Sequence, residues 1–394
     1  MVTAKQVLIL GGGFGGLTSA TLIRKSLSQE ECQITVIDKN QYFMMGFVNL
    51  WILSGSRRLE NSQVALNKLE SKGIKFLNDE IISIDLSKNS ITTKTNPNKL
   101  NYDYLIIALG AELAPKLTSG FEYSDESCFN VYDAKQVTRL REKLLSVKNG
   151  RIAICIADIP YKCPPAPYEV SLLINDILVK NGTRDSIELD MYVPTPIALP
   201  VAGPVVSQEV VNLLSDNHIN FHPLHKLKGV FDKKTIEFEN GSKISYDVLV
   251  VIPPHQVPQV IKNSDLLERD QCWINVDRFT LRTKYKNIFA TGDVTEIRLD
   301  KTTTIPKAGI FAEGQARAVS QQIISEIKSG DGNKAPKFDG KGYCFMEVGD
   351  KKAGYIDTDF YSETGPTTRL EPPSEEFYQK KIDFERSRLN EWLM

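Results

Sequence analysis

The chain has little of what would mark several function classes at once. Six cysteines in 394 residues are too few to act as a disulfide scaffold in a chain long enough to bury its own core. Neither sign of charge dominates: 48 lysines and arginines stand against 49 aspartates and glutamates. That balance excludes the basic stripe of a general nucleic-acid binder. The longest mostly apolar stretch, Phe43 to Leu53, covers about half a bilayer span and contains Asn49, so no spanning helix is expected. The opening Met1-Val2-Thr3-Ala4-Lys5 carries no secretory pattern, and a cytoplasmic location is the expectation. At about 150 residues per domain the length allows two to three domains.

What is present is concentrated near the start. Val7 to Leu10 reads as a buried strand, Leu17 to about Leu27 as a helix, and Gln33 to Asp38 as a second strand. Between strand and helix lies Gly11-Gly12-Gly13-Phe14-Gly15-Gly16. Gly11, Gly13 and Gly16 fit G-x-G-x-x-G: the first permits a tight turn, the second lets a pyrophosphate approach, the third lets helix and strand pack closely. Asp38, followed by Lys39, ends the second strand at the distance where a carboxylate takes ribose hydroxyls. The segment predicts dinucleotide binding at a helix N-terminus.

Two later strands end in small residues, one at Ala108-Leu109-Gly110 and one at Thr291-Gly292-Asp293. Their order resembles the flavoprotein superfamily with two dinucleotide-binding domains. There the first glycine turn holds the ADP half of FAD, and the late Gly-Asp pair, here Gly292 and Asp293, binds the ribityl and pyrophosphate region. The second domain opens with the strand Arg151 to Ala157, where NADH-using relatives carry another glycine turn. Here no glycine lies between Gly150 and Gly182, and prolines stand at 160, 164, 165 and 167. Side chains at that turn keep a pyrophosphate away, and proline removes N–H donors. A degenerate nicotinamide site is expected, with Cys163 in its place.

The segment Tyr161-Lys162-Cys163-Pro164-Pro165-Ala166-Pro167-Tyr168-Glu169 resembles the active-cysteine motif of flavocytochrome c sulfide dehydrogenases and sulfide:quinone oxidoreductases. The likeness runs from Val7 to about Gly354. It implies Cys344 as a second redox cysteine, Cys128 as the third found in quinone-reducing members, and Glu169 as an acid/base. Lys307, Ala308 and Gly309 match the loop past the flavin ring, where Lys307 would place positive charge. The implied chemistry is attack of HS⁻ on a Cys163–Cys344 bridge, with electrons passing through FAD to a quinone. A cytochrome acceptor fits less well, because those relatives work outside the cytoplasm. The alternatives are a type II NADH dehydrogenase-like flavoprotein and a non-catalytic redox sensor or partner subunit. A homo-oligomer is compatible with any of these.

The remaining cysteines, Cys32, Cys155 and Cys272, read as small core residues. His218, His222 and His225 cluster, but Pro223 interrupts them and no cysteine or carboxylate supports them, so no metal site is expected. The role of His255 is open. Ser374 to Met394 reads as a terminal helix with Tyr378, Ile382, Leu389 and Leu393 on one face. That stripe serves either peripheral membrane contact or docking on the protein itself. The expected fold is α/β with two Rossmann-like domains. The FAD domain is discontinuous, 1–110 and 250–330; 111–249 form the second domain and 331–394 a C-terminal segment.

Overall fold

The computed structural model describes residues 3–121, 126–232, 234–300 and 303–394. Short runs of aliphatic residues form its two central sheets. The first has five parallel strands in the order Ile288–Ala290, Tyr104–Ile107, Lys5–Leu10, Cys32–Asp38, Lys75–Asn78. The second, also parallel, runs Cys128–Asn130, Val248–Ile252, Gly150–Ile156, Ile187–Tyr192, Asn220–His222. Both are covered on two faces, which is why Val7 to Leu10 and Val248 to Ile252 are apolar without alternation and fully buried. This is the expected pair of Rossmann-like domains.

Strand pairing draws the domain boundary slightly later than the sequence does. Val248–Ile252 belongs to the second sheet, so a boundary at 250 would cut it. The chain leaves and re-enters the first domain through a two-residue antiparallel pair, Glu112–Leu113 with His255–Gln256. The C-terminal segment is an antiparallel sheet of Lys341–Gly349, Lys352–Asp359 and Thr367–Ser374, followed by the helix Glu375–Leu393. Ser374 caps that helix by accepting a hydrogen bond from the Phe377 N–H at 3.2 Å.

The terminal helix docks on its own chain through a face turned from the expected stripe: Lys381, Glu385, Trp392 and Leu393 are its buried residues, and Tyr378, Ile382 and Leu389 are half-buried. The Trp392 ring meets Phe14 edge-on at 5.2 Å and Phe43 at 5.8 Å. Burying an indole of this size contributes roughly 3 kcal/mol, and the same residues are thereby withheld from a lipid surface. Among the described residues no helix is long and apolar enough to cross a membrane.

His255 sits at the domain link and is 8% exposed. Its Nδ1 lies 2.8 Å from the Pro253 carbonyl, its Nε2 has no partner among the described residues, and its ring stands edge-on to Tyr132. Burial first, then the Lys162 and Lys307 cations, push its pKa from 6.5 down to about 3. The folded protein therefore holds His255 neutral while the unfolded chain binds a proton below about pH 6.5. Stability from this group is complete above that pH and falls as pH drops towards 3. Urea midpoints measured at pH 7.5 and pH 5 should differ, and His255→Gln should shrink the difference.

Candidate active site

The glycine turn is built by close contacts. Gly11 has φ +105°, and a Cβ there would lie 2.3 Å from the Ala108 carbonyl oxygen; one at Gly16 would lie 1.8 Å from that of Gly11. These two positions hold strand and helix together. Gly13 is different: a Cβ there would meet nothing within 4 Å, because it borders open cavity. The helix Phe14–Ser26 begins without a side-chain cap or an acidic residue in its first turn, so its N–H donors are left for an anion. Asp38 accepts from the Gly12 N–H at 2.6 Å and the Asn40 N–H at 2.7 Å, which fixes its carboxylate at the strand tip. Lys39 is turned to solvent and reaches Glu112 at 3.5 Å.

The cavity beyond Gly13 has a volume of about 350 Å³. Gly13, Phe14, Gly15, Ala108 and Gly110 line it from the first glycine turn and its neighbouring strand. Gly292, Asp293, Ala308 and Gly309 line it from the late strand and loop. The Gly292 N–H donates to Gln315 at 2.6 Å, and a Cβ on Gly309 would strike the Phe14 ring. The stretch Phe43 to Leu53 divides between two surroundings: Trp51 and Ile52 enter the core, and Phe43, Met44, Phe47 and Leu50 face the cavity.

Cys163 and Cys344, far apart in sequence, line the same cavity. Cys163 precedes the helix Ala166–Lys180 and has φ +55°, a left-handed conformation that costs a β-substituted residue about 1–3 kcal/mol. Two hydrogen bonds hold it there: its N–H donates to the Lys307 carbonyl at 2.7 Å, and its own carbonyl accepts from the Ala166 N–H at 2.9 Å. Cys344 arrives on the strand Lys341–Gly349. Burial and the Glu169 carboxylate push both thiols up, Cys344 to about 12, with Lys381 opposing. As a dithiol the pair keeps its protons at neutral pH.

Glu169 is not the exposed glutamate its type makes commonest. It is buried on the cysteine helix and accepts from Lys381 Nζ at 2.9 Å and from the Glu347 N–H at 2.9 Å. Lys381 also pairs with Glu347 at 2.8 Å, and Trp51 Nε1 donates to Glu347 at 2.7 Å. Burial raises the Glu169 pKa against the pull of Lys381.

Three expectations change. Lys307 does not line the cavity; its ammonium donates to the Asp293 and Thr295 carbonyls at 2.7 and 3.0 Å and lies over the Trp273 ring. Lys162, beside Cys163, does line it, with burial lowering its pKa and Asp293 opposing, and so does Lys381. Cys128 is buried in the second domain in the same core cluster as Cys155, away from the cavity. Cys272 is exposed rather than packed. His222 pairs with buried Asp190 at 2.9 Å and stacks on Tyr192. Among the described residues no group of three or more His, Cys, Asp or Glu is placed to hold a metal.

Lys381 and Glu347 are not among the site residues expected from the sequence. One signal was available: 381, 385, 388 and 392 recur at helical spacing with Trp392, so Lys381 shares the docked face.

The chain matches the family described as pyridine nucleotide-disulphide oxidoreductase over residues 5–155 and 188–316, and it belongs to that family. It is 29% identical over 372 residues to the sulfide-quinone reductase of Aquifex aeolicus, covering 90% of this chain and 84% of that protein. It is 26% identical over 339 residues to the type II NADH:quinone oxidoreductase of Staphylococcus haemolyticus, covering 81% and 82%. The X-ray structure of the sulfide:quinone oxidoreductase from Aquifex aeolicus superposes with a TM-score of 0.85 at 26% identity, covering 98% of this chain and 90% of that one.

The protein is thus an FAD-dependent oxidoreductase, and its residues fit the cofactor. Gly13 borders free space, the helix N-terminus has no side-chain cap, and the Thr291 hydroxyl lining the cavity is buried without a hydrogen-bond partner among the described residues. Gly13→Val should give folded, colourless protein, because its side chain occupies pyrophosphate space alone. Gly16→Ala should instead destabilise the fold by about 3 kcal/mol. Flavin absorbance and denaturant melts on both variants check the contrast.

Proposed function

We propose that the protein oxidises sulfide, or a related small sulfur compound, at a Cys163–Cys344 redox pair, with the electrons passing by way of FAD to a quinone. The observation that carries this reading is that both cysteines line the one cavity onto which the glycine turn opens. The sulfide-oxidising relatives add to it. The glycine-free turn that holds Cys163 also opposes a nicotinamide, since a pyrophosphate needs small residues and free N–H groups there.

The disulfide form of the pair is an electrophile at sulfur. HS⁻ attacks one sulfur atom, a new S–S bond forms, the old one breaks, and a cysteine thiolate leaves. No thiolate is needed beforehand, which suits two cysteines whose thiols hold their protons tightly. Lys162 supplies a cationic group on the cavity wall for an entering anion, and Lys381 favours the thiolate that departs. When bound, FAD supplies the two-electron redox chemistry. The chain's own contribution is to place the sulfurs, balance their charge and exclude water. Phe14, Phe47, Phe345 and Phe384 give the cavity an apolar wall suited to a quinone ring. A lipid-soluble acceptor calls for peripheral contact with the cytoplasmic face of a membrane, through a surface other than the buried side of the terminal helix.

The relative that oxidises NADH supports a second reading, and one anaerobic experiment separates the two. Rapid mixing with sulfide should bleach the flavin and mixing with NADH should not. The opposite pattern makes this a nicotinamide enzyme. Bleaching by sulfide without catalytic reduction of a quinone analogue makes it a sensor. Cys163→Ser should stay yellow and folded while sulfide-dependent bleaching falls by at least about 10³-fold, because a serine hydroxyl cannot form the electrophilic S–S bond. Wild-type bleaching in that variant would remove the cysteine mechanism.

A further inference from the structure

We infer that Glu169, Lys381 and Glu347 form a proton relay between the sulfur cavity and a second cavity open to water. The inference rests on the sulfide reading above and assigns the route its protons take.

The second cavity has a volume of about 350 Å³ and is bordered by Arg141, Asp176, Lys180, Lys352 and Tyr378. Lys351, Lys352 and Ser56 on its border are exposed, so water reaches it. Glu347 lines this cavity and not the first, whereas Glu169 and Lys381 line the first and not this one. The three residues therefore link the lining of the one space to that of the other. They touch in series: Glu169 to Lys381 at 2.9 Å and Lys381 to Glu347 at 2.8 Å. They are 1%, 2% and 3% exposed.

Stability alone does not account for this arrangement. Desolvating each ion costs several kcal/mol, and well-packed apolar residues often serve a fold as well as a buried ion cluster does. The neighbours fix the cluster without adding a competing buried charge to the line. Trp51 donates to Glu347, the Phe47 ring lies 5.2 Å from Lys381 Nζ, and Arg57 is paired with Glu385. Tyr378 lies near Glu347 and Lys381 on the side of the second cavity. Cys163 and Cys344 face the cluster from the sulfur cavity.

The chemistry needs such a route. Oxidising HS⁻ to sulfane sulfur releases one proton and two electrons, and reducing a quinone to the quinol takes up two of each. Within the site, the persulfide Cys–S–SH must lose its proton before its terminal sulfur can bond again. That proton passes to the Glu169 carboxylate. Glu169 returns it to Lys381 as Lys381 hands one of its own to Glu347, and Glu347 releases it to water in the second cavity. No electrons move in these steps, and all three groups end as they began. Run in reverse, the same line protonates a departing thiolate.

Glu347→Gln keeps the shape and the acceptor for Trp51 but cannot carry a proton. Sulfide-dependent turnover should fall by about 10²-fold with FAD content unchanged. The solvent deuterium isotope effect on flavin bleaching should rise, and added formate or imidazole should restore part of the rate. A merely structural glutamate would not give that rescue. A rate, pH profile and isotope effect equal to wild type would overturn the relay, as would a loss that no small acid repairs. Should Glu347→Gln fail to fold, Ser56→Trp at the exposed rim fills the second cavity from outside. It carries the same rate and isotope expectations, and unchanged values there overturn the relay. Wild-type flavin that sulfide does not bleach removes the sulfide reading and the relay together, whereas bleaching in wild type with an unaffected variant removes the relay only.

Discussion

The ammonium of Lys381, held between two carboxylates out of reach of water, is the interaction on which the architecture of the site depends. It ties three separate parts of the chain: the cysteine helix through Glu169, the strand of Cys344 through Glu347, and the terminal helix that carries the lysine itself. A buried charge is tolerable only when it is paired and hydrogen-bonded. Removing the lysine would leave two carboxylates in apolar surroundings, at a cost of about 3–5 kcal/mol for a broken buried pair. The strand and the helix are thus held in the one relation that turns both thiols to the same cavity.

The two Rossmann-like domains share a plan and differ at one turn. In the first, glycine at 11 and 16 allows backbone to pack on backbone, and Gly13 leaves room for phosphate. In the second, the same position in the plan is filled by Lys162, Cys163 and two prolines. A phosphate needs empty space and N–H groups, and this turn offers side chains and a strained, left-handed cysteine instead. Both turns face the same cavity, the glycine turn with room for the cofactor and the second turn with Cys163.

The glycine and aliphatic patterns of the two sheets were legible because they are local: a buried parallel strand must be apolar throughout, and a phosphate turn must be small. The cysteine motif at 163 was legible by resemblance. Cys128 and Cys272 show the limit of composition. Both precede an aromatic residue in the sequence, yet one lies inside the second domain's core and the other on the surface. Lys307 and Lys162 show the same limit for charge, since only the fold decides which of two lysines spends its protons on backbone carbonyls and which lines the cavity.

By itself the sequence determined the two-domain α/β plan, a dinucleotide turn at Gly11 to Gly16, and a second turn that has no glycine. Each of these is set by neighbours within about one strand–turn–helix unit. Only the tertiary structure decided that Cys344 lies across from Cys163, that Glu169 is buried, and that Lys381 and Glu347 complete its network. Those groups come from residues 163–169, 344–347 and 381. Packing of the C-terminal sheet and helix against the second domain brings the three charged groups within hydrogen-bond distance and both cysteines to one cavity, through contacts that no local pattern encodes.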